Sequence, residues 1–112
     1  MYRAAKRDRL EPQLIKAALA LGATVRQLDD PGLPDLLIGI GGVNLLAEVK
    51  SPSGKLTAAQ QQFFDLWKGQ VYIVRSAADI ERLIARITSK VVFTGEAFPP
   101  ALRILSGAWQ IR

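Results

Sequence analysis

Residues 34–50, PDLLIGIGGVNLLAEVK, decide how this chain folds. Two apolar runs, Asp35 to Ile40 and Val43 to Lys50, flank Gly41-Gly42, and such runs on either side of a Gly-Gly pair signal a β-hairpin. With a two-residue turn at the glycines, Ile40 pairs with Val43, Ile38 with Leu45, Leu36 with Ala47, and Asp35 with Glu48. Opposed residues share a face, so two carboxylates meet there with Cβ atoms about 4.5–5.5 Å apart. Alternation places Lys50 on the same face, about 7 Å beyond Glu48. A four-residue turn would make the acids diagonal neighbours. A slip of one residue would send them to opposite faces.

Facing carboxylates destabilise a hairpin, and burial raises the cost. Protonation of one acid, the Lys50 ammonium, or a bound divalent cation each relieves it. A pair of carboxylates with room for carbonyl and water ligands suits Mg²⁺ or Mn²⁺, which prefer oxygen. Such an ion activates water and stabilises charge on a phosphodiester, and Lys50 is placed to position the water or offset the developing charge. The blander reading of the same residues is a Glu48–Lys50 salt bridge at a solvated strand end, with Asp35 capping the strand entry after Pro34.

Outward from the hairpin, Tyr2 to Leu21 reads as a helix. Leu10, Leu14, Ala17 and Leu21 recur at helical spacing, and Gly22 follows as a C-cap. Its first turns carry Arg3, Lys6, Arg7 and Arg9, a basic face suited to phosphates. Glu11 borders the apolar stripe, either as a peripheral acid packing its stem on the core or as a carboxylate aimed at the hairpin site. Thr24 to Leu28 predicts a short strand, and Asp29-Asp30-Pro31-Gly32 a turn. After the polar loop SPSGK, Thr57 and Gln60 have the spacing of a capping box, opening a helix to about Lys68. Phe63, Phe64 and Trp67 lie at helical spacing and read as core rather than as base-stacking platforms. Val71 to Arg75 predicts a buried strand, Ala77 to Ile87 an amphipathic helix, and Val91 to Phe93 a last short strand. The expected fold class is α/β: a mixed sheet in α-β-β-β-α-β-α order, flanked by helices.

The 112 residues fit one domain with a real core. No apolar run reaches the length of a membrane span, and the start lacks the core of a signal peptide, so a soluble, unexported protein is expected. There is no histidine and no cysteine, which excludes imidazole and thiolate catalysis and the usual zinc sites. Any enzyme here works with carboxylates, lysine, hydroxyls, or a metal held by oxygen. A net charge of +5 fits a polyanionic partner. Lys55 is a further phosphate-contact candidate.

Taken together, Pro34-Asp35 and Glu48-Val49-Lys50 resemble the PD-(D/E)xK nuclease superfamily. More narrowly, GLPDLLIG, LLAEVKSPSGKLTAAQQQFF and VYIVRSAADI resemble the VRR-NUC (virus-type replication-repair nuclease) domain in its short, phage-like form, across roughly Leu10 to Leu83. The resemblance implies a restriction-endonuclease-like fold, Mg²⁺ or Mn²⁺ dependence and hydrolysis of DNA, with branched or four-way junction DNA as substrate and a homodimer as the working form. It implies Asp35, Glu48 and the Val49 carbonyl as metal ligands, Glu11 as a further candidate ligand, Lys50 as the group assisting water, and Gln60 or Gln61 as the family glutamine. Asp29-Asp30 depart from the basic residues that related sequences often carry there. The family core spans 1–90. Residues 91–112 form an extra apolar segment (Phe98, Leu102, Ile104, Leu105, Trp109, Ile111) suited to a dimer interface. The cytoplasm of a bacterial or phage-infected cell is the expected location. Two other readings are a catalytically silent nucleic-acid-binding module, whose expected mark is loss of Asp35, Glu48 or Lys50, and an unrelated α/β interaction protein.

Overall fold

A computed structural model describes residues 9–94, the side chains of 90–94 excepted. In chain order the elements are α1 (Leu10–Ala20), β1 (Thr24–Gln27), β2 (Leu36–Ile40), β3 (Val43–Val49), α2 (Ala58–Leu66), β4 (Val71–Val74) and α3 (Ala77–Thr94). This is the order expected from the sequence.

The hairpin follows its turn chemistry. Gly41 and Gly42 have φ of 60° and 82°, left-handed values that a type I′ turn requires at both central positions and that a side chain would strain. The resulting register pairs Ile40 with Val43, Ile38 with Leu45, and Leu36 with Ala47, as a two-residue turn demands. The sheet order is β1-β2-β3-β4. β1 and β2 are antiparallel, as are β2 and β3, whereas β3 and β4 are parallel. A parallel pair needs a crossover, and α2 lies within it.

One face of this sheet carries the core. Leu36, Ile38, Leu45, Ala47 and Val74 alternate along their strands and pack with Leu14 and Ala18 of α1 and Ile80, Leu83, Ile84 and Ile87 of α3. Leu14 is fully buried. Leu14→Ala is therefore expected to cost about 2–5 kcal/mol, lowering the urea midpoint while leaving the slope of the transition unchanged.

Three expectations need correction. Val91 to Phe93 do not form a strand, because α3 runs on to Thr94. No glycine or proline interrupts 77–94, and Gly95 is the first breaker, so extending the helix costs less than starting a strand. The helix therefore crosses position 90 without a break. The second helix stops at Leu66, with Trp67 already extended. Its aromatics are not core: none of its residues is buried, and Trp67 is 46% exposed. The reason is that α1 and α3 already cover the core face of the sheet.

Residues 1–8 and 95–112 lie outside the described residues. With them go the Tyr2 end of the first helix, Arg3, Lys6 and Arg7, and most of the segment expected to form a dimer interface. Among the described residues no helix is long and apolar enough to cross a membrane.

Candidate active site

One residue beyond the Leu36–Ala47 pair, the register sets Asp35 opposite Glu48. The ladder from β1 reaches the same row, since Leu28 N–H donates to the Asp35 carbonyl at 2.8 Å. On the other side Glu48 pairs with Ile73 of β4. Both acids are buried, Asp35 at 8% exposure and Glu48 at 5%, where acids are rare unless something compensates them. Alternation puts them on the sheet face away from α1 and α3. Half-buried Lys50 follows Glu48 on that face, and its N–H donates to the Val74 carbonyl at 3.1 Å.

The proline before Asp35 shapes this end of the hairpin. Continued another residue, the register brings Val49 opposite Pro34, which has no N–H to give. The Val49 N–H is taken by the Asp35 side chain, whose Oδ2 accepts from it at 2.8 Å. A strand residue points its N–H and C=O toward the same edge. The Val49 carbonyl is thus directed to the Asp35 side, where Pro34 cannot donate to it.

Glu48 is held from α2. Gln60 Nε2 donates to Glu48 Oε2 at 3.0 Å. The Gln60 amide is oriented by the capping box: its Oε1 accepts from Thr57 N–H at 2.9 Å, while Gln60 N–H donates to Thr57 Oγ1 at 3.1 Å. With the amide oxygen committed to the helix start, the amide nitrogen faces the acid. Gln61 does not join the site, because its Nε2 donates to Asp65 Oδ1 on the exposed side of α2.

Glu11 is buried, at 3% exposure. Its Oε2 accepts from Gln27 Nε2 at 2.9 Å. Gln27 pairs with Leu36, one row from Asp35 and on the face covered by α1. Among the described residues, no three acids are grouped so as to hold a metal by themselves. Arg9 and Lys55 are exposed. In the Asp29-Asp30 turn, Asp30 Oδ1 accepts from Gly32 N–H at 2.8 Å, so this acid shapes the entry to the motif strand.

Sequence reasoning missed two residues. Gln27 gives no signal beyond its place at a strand end. Arg75 sits where a buried strand was expected to finish, yet its Nη1 donates to the carbonyls of Ser51 and Gly54, each at 2.7 Å. Its own N–H donates to Asp79 Oδ2 at 2.8 Å. Arg75 thereby fixes the loop between Lys50 and Gln60, and so the spacing of the two residues flanking Glu48.

No model of a known protein family matches the chain, and no curated protein matches it. Among solved structures it is similar to one described as a VRR_NUC domain, with 29% sequence identity and a TM-score of 0.61. The match covers 70% of this chain and 94% of that one. The four-stranded mixed sheet with its flanking helices is accordingly a restriction-endonuclease-like fold. Fold, strand order and this likeness together support a VRR-NUC domain assignment.

Proposed function

We propose that this protein is a Mg²⁺- or Mn²⁺-dependent DNA endonuclease of the PD-(D/E)xK type, selective for DNA shape, such as a four-way junction, rather than for sequence. The observation carrying this reading is that two acids, Asp35 and Glu48, are buried at the open end of the hairpin, with Asp35 Oδ2 accepting from the N–H of Val49, the residue after Glu48. The likeness to a VRR_NUC domain structure points the same way, toward nuclease activity.

The donor set fits a hard divalent ion. Asp35 and Glu48 offer carboxylate oxygens, the Val49 carbonyl projects to the same end, and the chain has no histidine or cysteine to favour a softer metal. Mg²⁺ commonly rests on one or two carboxylates and keeps several waters, so the lack of a three-acid group among the described residues does not count against it. When bound, such an ion supplies electrophilic stabilisation and a more acidic water.

The remaining chemistry belongs to the chain. Asp35 and Glu48 would hold the ion, with Val49 O as a further ligand. Gln60 orients the Glu48 carboxylate, and Lys50 brings positive charge to the scissile phosphate and the attacking water. Glu11, steadied by Gln27, is a further candidate acid, from α1. The exposed bases Arg9 and Lys55, with Arg3, Lys6 and Arg7 beyond the described residues, contact the DNA backbone. Among the described residues no element offers a reader of base edges. A homodimer acting in the cytoplasm of a bacterial or phage-infected cell completes the reading.

The test is cleavage of labelled junction, flap, single-stranded and linear DNA with Mg²⁺, Mn²⁺ or EDTA. The expected result is divalent-dependent cutting, strongest on branched DNA. Failure to cut any of these with either metal would end the proposal.

A further inference from the structure

Helix α2 is unusual in carrying aromatics that the core does not use. Gln60, Phe63, Phe64 and Trp67 recur at the i, i+3, i+4, i+7 spacing that marks one side of a helix. That side begins at the amide touching Glu48 and ends about 10 Å along the axis. There the Trp67 indole stacks on Phe63, with centroids 5.0 Å apart and planes 18° from parallel. Its Nε1 edge lies against Gly69, where an added Cβ would come within 2.9 Å of that nitrogen. The ring is therefore set in place from two directions while remaining 46% exposed.

We propose that the Phe63–Trp67 stack is a platform for an unpaired base of the DNA, next to the position cut. The inference rests on the nuclease reading and deepens it, by assigning a structural feature that selects DNA with unpaired bases. Two observations favour a base over a folded protein partner. The large apolar residues that α2 exposes are Leu66 and Trp67, far less than the roughly 1,000 Å² a stable protein interface buries, whereas one indole matches the face of one base. Lys55 and Lys68, both exposed, bracket the helix, and Asp65 is tied to Gln61. Basic charge with a pre-set aromatic face is how single strands are held without sequence preference.

The full chain with Trp109→Phe leaves Trp67 as the single indole reporter, since the sequence has two tryptophans. In EDTA it is titrated with a short single strand, a forked duplex, a blunt duplex, and a single strand made abasic. Quenching by the single strand and the fork is expected, with little by the abasic strand. Trp67→Ala should weaken single-strand and fork binding about tenfold or more, with blunt-duplex binding unchanged and Trp67→Phe retaining most of the affinity. Unchanged single-strand affinity in Trp67→Ala, or equal binding of the abasic strand, would overturn the proposal. So would a Trp67→Ala protein that passes from dimer to monomer in sedimentation with DNA binding intact, which would give this face to a second copy. Absence of cleavage with Mg²⁺ or Mn²⁺ would strike the nuclease reading while leaving these metal-free titrations to stand or fall separately.

Discussion

Glu48→Gln is expected to reduce divalent-dependent cleavage by at least about a hundredfold while leaving the metal-free fold within about 1 kcal/mol of the parent. Glutamine keeps the shape of the side chain and an oxygen that Gln60 Nε2 can donate to, as it does to Glu48 at 3.0 Å. What disappears is one of two negative charges facing each other across the hairpin. Removing it relieves repulsion and weakens a charge-assisted hydrogen bond, two effects of similar size and opposite sign. Activity has no such compensation, because the amide is a far poorer ligand for a hard cation. Lys50→Ala should fall in the same direction. An acid kept for structure alone would show the reverse: a lower urea midpoint and cleavage equal to the parent. Equal cleavage by Glu48→Gln would remove Glu48 from the site.

Much of this arrangement was legible in the sequence because it follows from local rules. Gly41-Gly42 admits a type I′ turn, the turn fixes the register, and the register brings Asp35 to Glu48 with no reference to the rest of the fold. The Thr57–Gln60 capping box was legible for the same reason, and it was formed as expected. Its second contact was not: the tandem glutamines left open which one faces the acids, and only the folded chain has Gln60 reaching Glu48 while Gln61 turns to Asp65. Helical spacing marked Phe63 and Trp67 as one side of a helix but not whether anything covers that side. Coverage is a tertiary fact, decided here by α1 and α3 having taken the core face. Arg75 escaped because its partners are backbone carbonyls 21 to 24 residues away, which no side-chain pattern announces. Val91 to Phe93 misled because a short run of strand-favouring residues carries little weight against a helix already under way.

Asp35 should separate into two roles under substitution. Its Oδ2 accepts from Val49 N–H at 2.8 Å, a backbone donor at the point where Pro34 ends regular pairing. Asp35→Ala leaves that donor without this acceptor and is expected to cost about 1–3 kcal/mol. Asp35→Asn retains an oxygen for the bond and should melt near the parent in EDTA. Neither variant should respond to metal as the parent does. A ligand that binds the folded state alone at a hundred times its Kd adds about 2.7 kcal/mol, which for a domain of this size raises the Tm by on the order of 10 °C. The parent should show that rise with Mn²⁺, and Asp35→Asn should show almost none despite its intact fold. The comparison is made by thermal melts of the three proteins with EDTA and with saturating Mn²⁺, and it isolates metal binding from folding. A parent-like Mn²⁺ shift in Asp35→Asn would leave Asp35 a backbone-bonding residue alone and move the metal elsewhere.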